Sequence, residues 1–144
     1  MTRAAVVADL RKLASSLPLM PDHAGMVHSV VMQALADAGH RVYAEVPAMI
    51  NGRAGRLDLA FFHNELREWC AIEIDARRPR KRSLEKLRRF VGVRVVMLRG
   101  VEGNGEIEGV DGVIALPVRI AAKGEKDKTA VGRVARRLRE RGDK

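Results

Sequence analysis

The residues of this chain best suited to chemistry are acids set inside apolar runs. Asp58 lies in Gly55-Arg56-Leu57-Asp58-Leu59-Ala60, and Glu73 and Asp75 lie in Ala71-Ile72-Glu73-Ile74-Asp75. Both runs read as short buried strands, where a carboxylate is costly unless a metal, a cation or hydrogen bonds hold it. Residues 76–89 follow at once, and eight of those fourteen side chains are Lys or Arg. Acids able to hold a divalent cation, beside a surface able to hold phosphate, point to chemistry on nucleic acid.

Side chains alternate along a strand, so Glu73 and Asp75 share one face while Ile72 and Ile74 point the other way. Asp58 belongs to the neighbouring strand, with Leu57 and Leu59 turned into the core. Pairing of the two strands brings Asp58 close to Glu73. Carboxylates so placed are hard oxygen ligands for Mg²⁺ or Mn²⁺. Such a metal polarises a phosphodiester and lowers the pKa of a bound water for in-line attack. The other reading of each acid is an edge-strand carboxylate, solvated or paired with a nearby Arg.

The elements that must position these residues follow from periodicity and turn chemistry. Residues 2–16 read as a short helix ended by Ser15, Ser16 and Pro18. A second helix is capped by Asp22 and runs to about Ala38, with Met26, Val30, Val31, Leu35 and Ala38 at helical spacing and Gly39 as its stop. Arg41 to Val46 alternates as a strand closed by Pro47, and Ile50 to Gly55 is turn chemistry. A second strand covers about Arg56–Phe62 and a third about Glu68–Asp75. The short link through His63, Asn64 and Glu65 makes them an antiparallel hairpin. Beyond Pro79, Ser83 caps a helix over about 84–91 whose apolar stripe is Leu84, Leu87 and Val91, with Arg82, Lys86 and Arg89 on its polar side. Strands at 94–98 and 112–116 follow, and a basic helix is expected over about 127–141. The order makes an α/β fold around a small mixed sheet.

With 144 residues, 47% of them apolar, the chain reads as one folded domain with a core over about 22–116. A formal charge of +9 favours an anionic partner. Aromatics are only 3%, so extended base stacking is not expected, and phosphate contacts by Arg and Lys fit better. Cys70 is the single cysteine. It excludes an internal disulfide and a multi-cysteine zinc site, fits a reducing cytoplasm, and reads as a small buried hydrophobe. No apolar run approaches the ~18 residues needed to span a bilayer, so no membrane partner is expected. The amphipathic N-terminus does not resemble a signal peptide.

GRLDLAFF, a hairpin, IEID and then a basic segment with SLEKL resemble the PD-(D/E)xK nuclease superfamily. The layout is similar to its restriction-endonuclease-like and Holliday-junction-resolvase-like members, whose core is a helix, three strands, a helix and a strand. The match covers residues 22–98. The resemblance implies that Asp58 and Glu73 are metal ligands, that the carbonyl of Ile74 completes the protein's share of the shell, and that Glu45 is a further acid facing the site. It departs from the family pattern at Asp75, which stands where the motif has a lysine that orients the attacking water. Lys86 on the following helix is the first substitute for it, and Lys81 the second. Where some members place a glutamate on the leading helix, this chain has His28, which could bind metal or take up a proton or simply sit on the surface.

The first functional reading is therefore a divalent-metal-dependent endonuclease acting on double-stranded or branched DNA. Asp58, Glu73, Asp75, Glu45 and Lys86 are its catalytic candidates. Arg77, Arg78, Arg80, Lys81, Arg82, Lys86 and Arg89 would hold phosphates. The alternative is an inactive nuclease-fold protein that binds DNA or RNA. Cutting both strands of a duplex would favour a homodimer.

Overall fold

In the computed structural model, residues 1–50, 52–100 and 105–119 are described. The expected basic helix over 127–141 lies outside them. Helix α1 (Arg3–Ser15) starts at Thr2, whose hydroxyl accepts the Ala5 amide at 3.1 Å. Helix α2 (Ala24–Asp37) is capped by His23 and not by Asp22. The His23 ring Nδ1 accepts the Met26 amide at 3.1 Å, while Asp22 faces Arg99 at 3.4 Å. The buried stripe of α2 is Val27, Val31 and Leu35, and Gly39 at φ 95° leads the chain away.

A two-residue strand β1 (Met20–Pro21) precedes α2. The main sheet contains β2 (Val42–Ile50), β3 (Arg53–His63), β4 (Glu68–Asp75), β5 (Val93–Arg99) and β6 (Gly112–Leu116), in that spatial order. The first three are antiparallel, and β4, β5 and β6 run parallel. Helix α3 (Lys81–Arg88) makes the crossover from β4 to β5, and a last pair of residues, β7 (Val118–Arg119), pairs with β1. The fold is α/β with a five-stranded mixed sheet and three helices among the described residues.

Strand β2 does not stop at Pro47 but continues to Ile50, paired with Arg53. At the sheet edge only one side of the strand needs pairing, so a proline that donates nothing is tolerated. The turn is correspondingly shorter than Ile50–Gly55. Helix α3 begins at Lys81 and ends at Arg88, three residues earlier than expected. Ser83 is therefore inside its first turn, and Val91 lies past its end, 88% exposed instead of in the apolar stripe.

The sheet is covered on both faces. Val6, Val7 and Leu10 of α1 and the α2 stripe pack with Leu59, Phe61, Ile72, Ile74, Val95 and Met97. Leu87 of α3 packs on the other face with Leu57, Ala71, Val96, Leu98 and Val113. Gly112 lets α1 approach β6, since a Cβ there would stand 2.5 Å from Cγ1 of Val7. Gly112→Ala is expected to lower stability by about 1–3 kcal/mol by overpacking, as a shift in the urea midpoint at unchanged slope.

Candidate functional site

Strands β3 and β4 pair regularly from His63↔Glu68 to Leu59↔Ile72 and then part. The next residues level with each other are Asp58 and Glu73, and their side chains replace the ladder. Oε2 of Glu73 accepts the Asp58 amide at 2.7 Å, and Oδ2 of Asp58 accepts the Ile74 amide at 2.7 Å. Each acid thus satisfies a main-chain donor of the opposite strand, which would cost about 1–3 kcal/mol if left buried and unpaired. In a strand, the N–H and C=O of one residue point to the same side. The Ile74 carbonyl therefore faces the same opening as its amide.

The parting comes with a change of face. Leu59 and Phe61 pack against α1 and α2, but Leu57 packs beneath α3, so both flank Asp58 as core residues on opposite sides of the sheet. On β2, Val42 belongs to the first side and Val46 to the second. Glu45, level with Asp58 in the β2–β3 register, takes φ 55°, a left-handed value uncommon for a residue with a side chain. Its own side chain is exposed, and no hydrogen bond or ion pair joins it to Asp58 or Glu73.

Lys86 enters this opening from α3. Its ammonium forms an ion pair with Oε1 of Glu73 and donates to the Arg56 carbonyl at 2.8 Å. Expected on the polar side of its helix, Lys86 is only 7% exposed. Ser83, Lys86 and Leu87 make up the buried face of α3 at i, i+3 and i+4 spacing. That spacing was available in the sequence, but a search for apolar stripes passes over a face carrying a serine and a lysine.

Glu73 is fully buried, and this desolvation pushes its carboxyl up to about 7. The Lys86 ammonium and the Asp58 amide oppose the rise, while the charge of Asp58 adds to it. Glu73 is thus poised to exchange a proton near neutrality.

Asp75 lies on the same face of β4 but has other partners. Its Oδ1 accepts from Arg80 Nε and Ser83 Oγ, and its Oδ2 accepts from the Arg80 amide, each at 2.9 Å. Asp75 ties β4 to the start of α3, and Ser83, read as a helix cap, is one of its donors. Arg77, Arg78, Lys81 and Arg82 are exposed around this junction, and exposed Arg80 is held by Asp75. Arg89 is exposed at the far end of α3, while Lys86 is committed to Glu73. No hydrogen bond or ion pair joins Lys81 to the acids. His28 is half-buried on α2, which packs on the face opposite Lys86, and no hydrogen bond or ion pair connects it to them.

Among the described residues no group of three His, Cys, Asp or Glu is arranged to hold a metal ion. Two carboxylates and a carbonyl are nevertheless a donor set of the kind Mg²⁺ takes, since it keeps several waters and needs only one or two carboxylates from the protein. Cys70 is buried, and burial pushes its thiol up to about 12, so it stays un-ionised, as a small hydrophobe should. A cleft of about 820 Å³ lined by Leu10, Leu13, Asp37, His40, Phe61 and His63 lies elsewhere and shares no residue with the acids. No helix among the described residues is long and apolar enough to cross a membrane. In comparisons with known proteins, no family model, no curated protein and no solved structure matches this chain.

Proposed function

We propose that the protein is a divalent-metal-dependent endonuclease that hydrolyses DNA phosphodiester bonds on a restriction-endonuclease-like core. One observation carries the reading: Asp58 and Glu73 interlock where β3 leaves β4, and the buried ammonium of Lys86 meets Glu73 there. Asp58, Glu73 and the Ile74 carbonyl would hold Mg²⁺ or Mn²⁺. When bound, the metal supplies positive charge to the attacked phosphate and a water of lowered pKa. Lys86 takes the role that the family pattern gives to position 75. Its Nζ favours the ionised form of Glu73 against the cost of burial and would donate to a phosphate oxygen or orient the attacking water. Arg77, Arg78, Lys81 and Arg82 supply phosphate contacts, which fix the register of DNA without reading its sequence.

Mg²⁺ is expected to support nicking of supercoiled plasmid or cutting of branched DNA. Asp58→Asn and Glu73→Gln should each reduce the rate at least about a hundredfold, with the far-ultraviolet dichroism of the native protein retained. A pure protein that cuts no DNA form with either metal would overturn the proposal. Below pH 7 Glu73 holds a proton that the metal must displace. The Mg²⁺ concentration for half-maximal cutting should therefore rise about tenfold per unit of falling pH and level off above 7.

A second reading, a nuclease-fold protein that binds nucleic acid without cutting it, is favoured by the commitment of Asp75 to Arg80 and Ser83. It predicts salt-sensitive binding that survives loss of both Asp58 and Glu73 and needs no metal.

A further inference from the structure

We infer that Tyr43, Phe62 and Trp69 form a stacking platform for the unpaired bases of a single-stranded nucleic-acid segment, which names the substrate class of the site proposed above and rests on that reading. The chain has five aromatic residues by count of Phe, Trp and Tyr. Phe61 is in the core and Phe90 packs beside α3. The other three gather in one place: the Trp69 ring centroid lies 5.9 Å from that of Tyr43 and 5.6 Å from that of Phe62. Tyr43 is 45% and Trp69 43% exposed, so the rings cluster in water and not in the interior. Low aromatic content argued against extended stacking, but it is the placement of the few rings that matters.

The platform lies on the same face of β4 as the acids, with Ala71, buried under Leu87, between them. Trp69, Ala71, Glu73 and Asp75 alternate onto one face of β4, where Ala71 packs with Leu87 and Glu73 meets Lys86. Four residues of strand separate Trp69 from Glu73 by ~13 Å, about the length of four stacked nucleotides at ~3.4 Å each. The loop after α3 lies against the backbone of β4 at Trp69. Gly92, at φ 141°, would place a Cβ 2.2 Å from the Trp69 carbonyl oxygen, so only glycine allows that approach. Arg41 and Arg67, both exposed, flank the rings in sequence and suit a phosphate backbone.

The net charge of +9 and the exposed Arg41 and Arg67 beside the rings favour nucleic acid over an apolar protein partner or a second copy of this chain. A duplex hides its base faces, whereas unpaired bases present them. Stacking on exposed rings tolerates any base, which agrees with a site lacking base-edge readers.

Trp69 is the only tryptophan, so its fluorescence reports the contact directly. The full chain is titrated in EDTA, where no cutting occurs, with oligo(dT) of about twelve nucleotides, within the usual single-strand site sizes, and with a duplex of equal length. Oligo(dT) should quench Trp69 and bind at least about fivefold tighter than the duplex. Trp69→Ala and Tyr43→Ala should each weaken oligo(dT) binding about 5- to 150-fold, by anisotropy of a labelled strand, leave duplex binding unchanged and unfold cooperatively on heating. Trp69→Phe, which keeps a ring, should retain most of the affinity. Oligo(rU) tells an RNA from a DNA strand, and quenching by either supports the platform. Absence of quenching, equal affinity for strand and duplex, or indifference to Trp69→Ala would overturn it. So would a dimer in sedimentation whose Trp69 is shielded from acrylamide. Quenching without any metal-dependent cutting leaves the platform standing and removes the nuclease reading, and cutting without quenching does the reverse.

Discussion

Lys86→Met is expected to destabilise the protein by about 3–5 kcal/mol at pH 8, because Glu73 is left buried without its cation and must either stay charged or take up a proton. The loss should shrink toward pH 5. Burial already holds the Glu73 carboxyl above its ordinary value, so the folded protein binds a proton there that the unfolded chain releases. Stability therefore falls as pH rises from the ordinary carboxylate range through the folded-state pKa, and is flat above it. Without Lys86 that folded-state pKa moves higher still, and the falling segment lengthens. Urea denaturation of both proteins at pH 5 and pH 8 measures the difference. A Lys86→Met protein with the same deficit at both pH values would show that the ion pair does not govern the site. Pairing Lys86→Met with Glu73→Gln removes both charges and should restore most of the stability at pH 8. Cutting should be lost in both variants, so stability and catalysis separate in the double one.

Asp75→Ala is expected to cost about 3 kcal/mol, since the Ser83 hydroxyl is left buried without an acceptor and the Arg80 amide loses its partner. Exposed Arg80 turns to water and contributes little to the loss. The effect should reach the chemistry indirectly: a loosened start of α3 displaces Lys86, one turn further along. Raised protease susceptibility around residues 76–82, together with reduced cutting, is the signature. Asp75→Lys, which would supply the motif lysine of the superfamily the sequence resembles, should not raise the cutting rate that the proposed function predicts. It places an ammonium beside Arg80 in a pocket built for an acid, and the proposed function gives the lysine's role to Lys86. A faster Asp75→Lys enzyme would show that Asp75 merely fills a vacated position.

Asp58 and Glu73 could be singled out from sequence because two signals coincide there: strand periodicity fixes what each residue faces, and a charge at an apolar position breaks it. The strand limits of β4 and β6 were legible for the same reason. The change of face at Asp58 was not, because alternation assumes an unbroken strand, and here the side chains displace the ladder. Lys86 could be named as a candidate, but its burial was not legible, because it comes from one specific partner, Glu73, and not from hydrophobicity. Asp75, Arg80 and Ser83 could not be joined in sequence, since their contacts require the turn after β4 to close first. The aromatic platform is assembled from three strands, and composition holds no information about which rings meet.

Strand β2 is the outermost strand of the main sheet on the side away from β6. Among the described residues nothing pairs with the outer side of this nine-residue strand, and such an edge offers donors and acceptors to any extended chain that comes near. Pro47 takes one donor away, and the left-handed turn at Glu45 spoils the straight run beside it. The two residues that interrupt the strand's pattern thus guard the protein against recruitment into an aggregate.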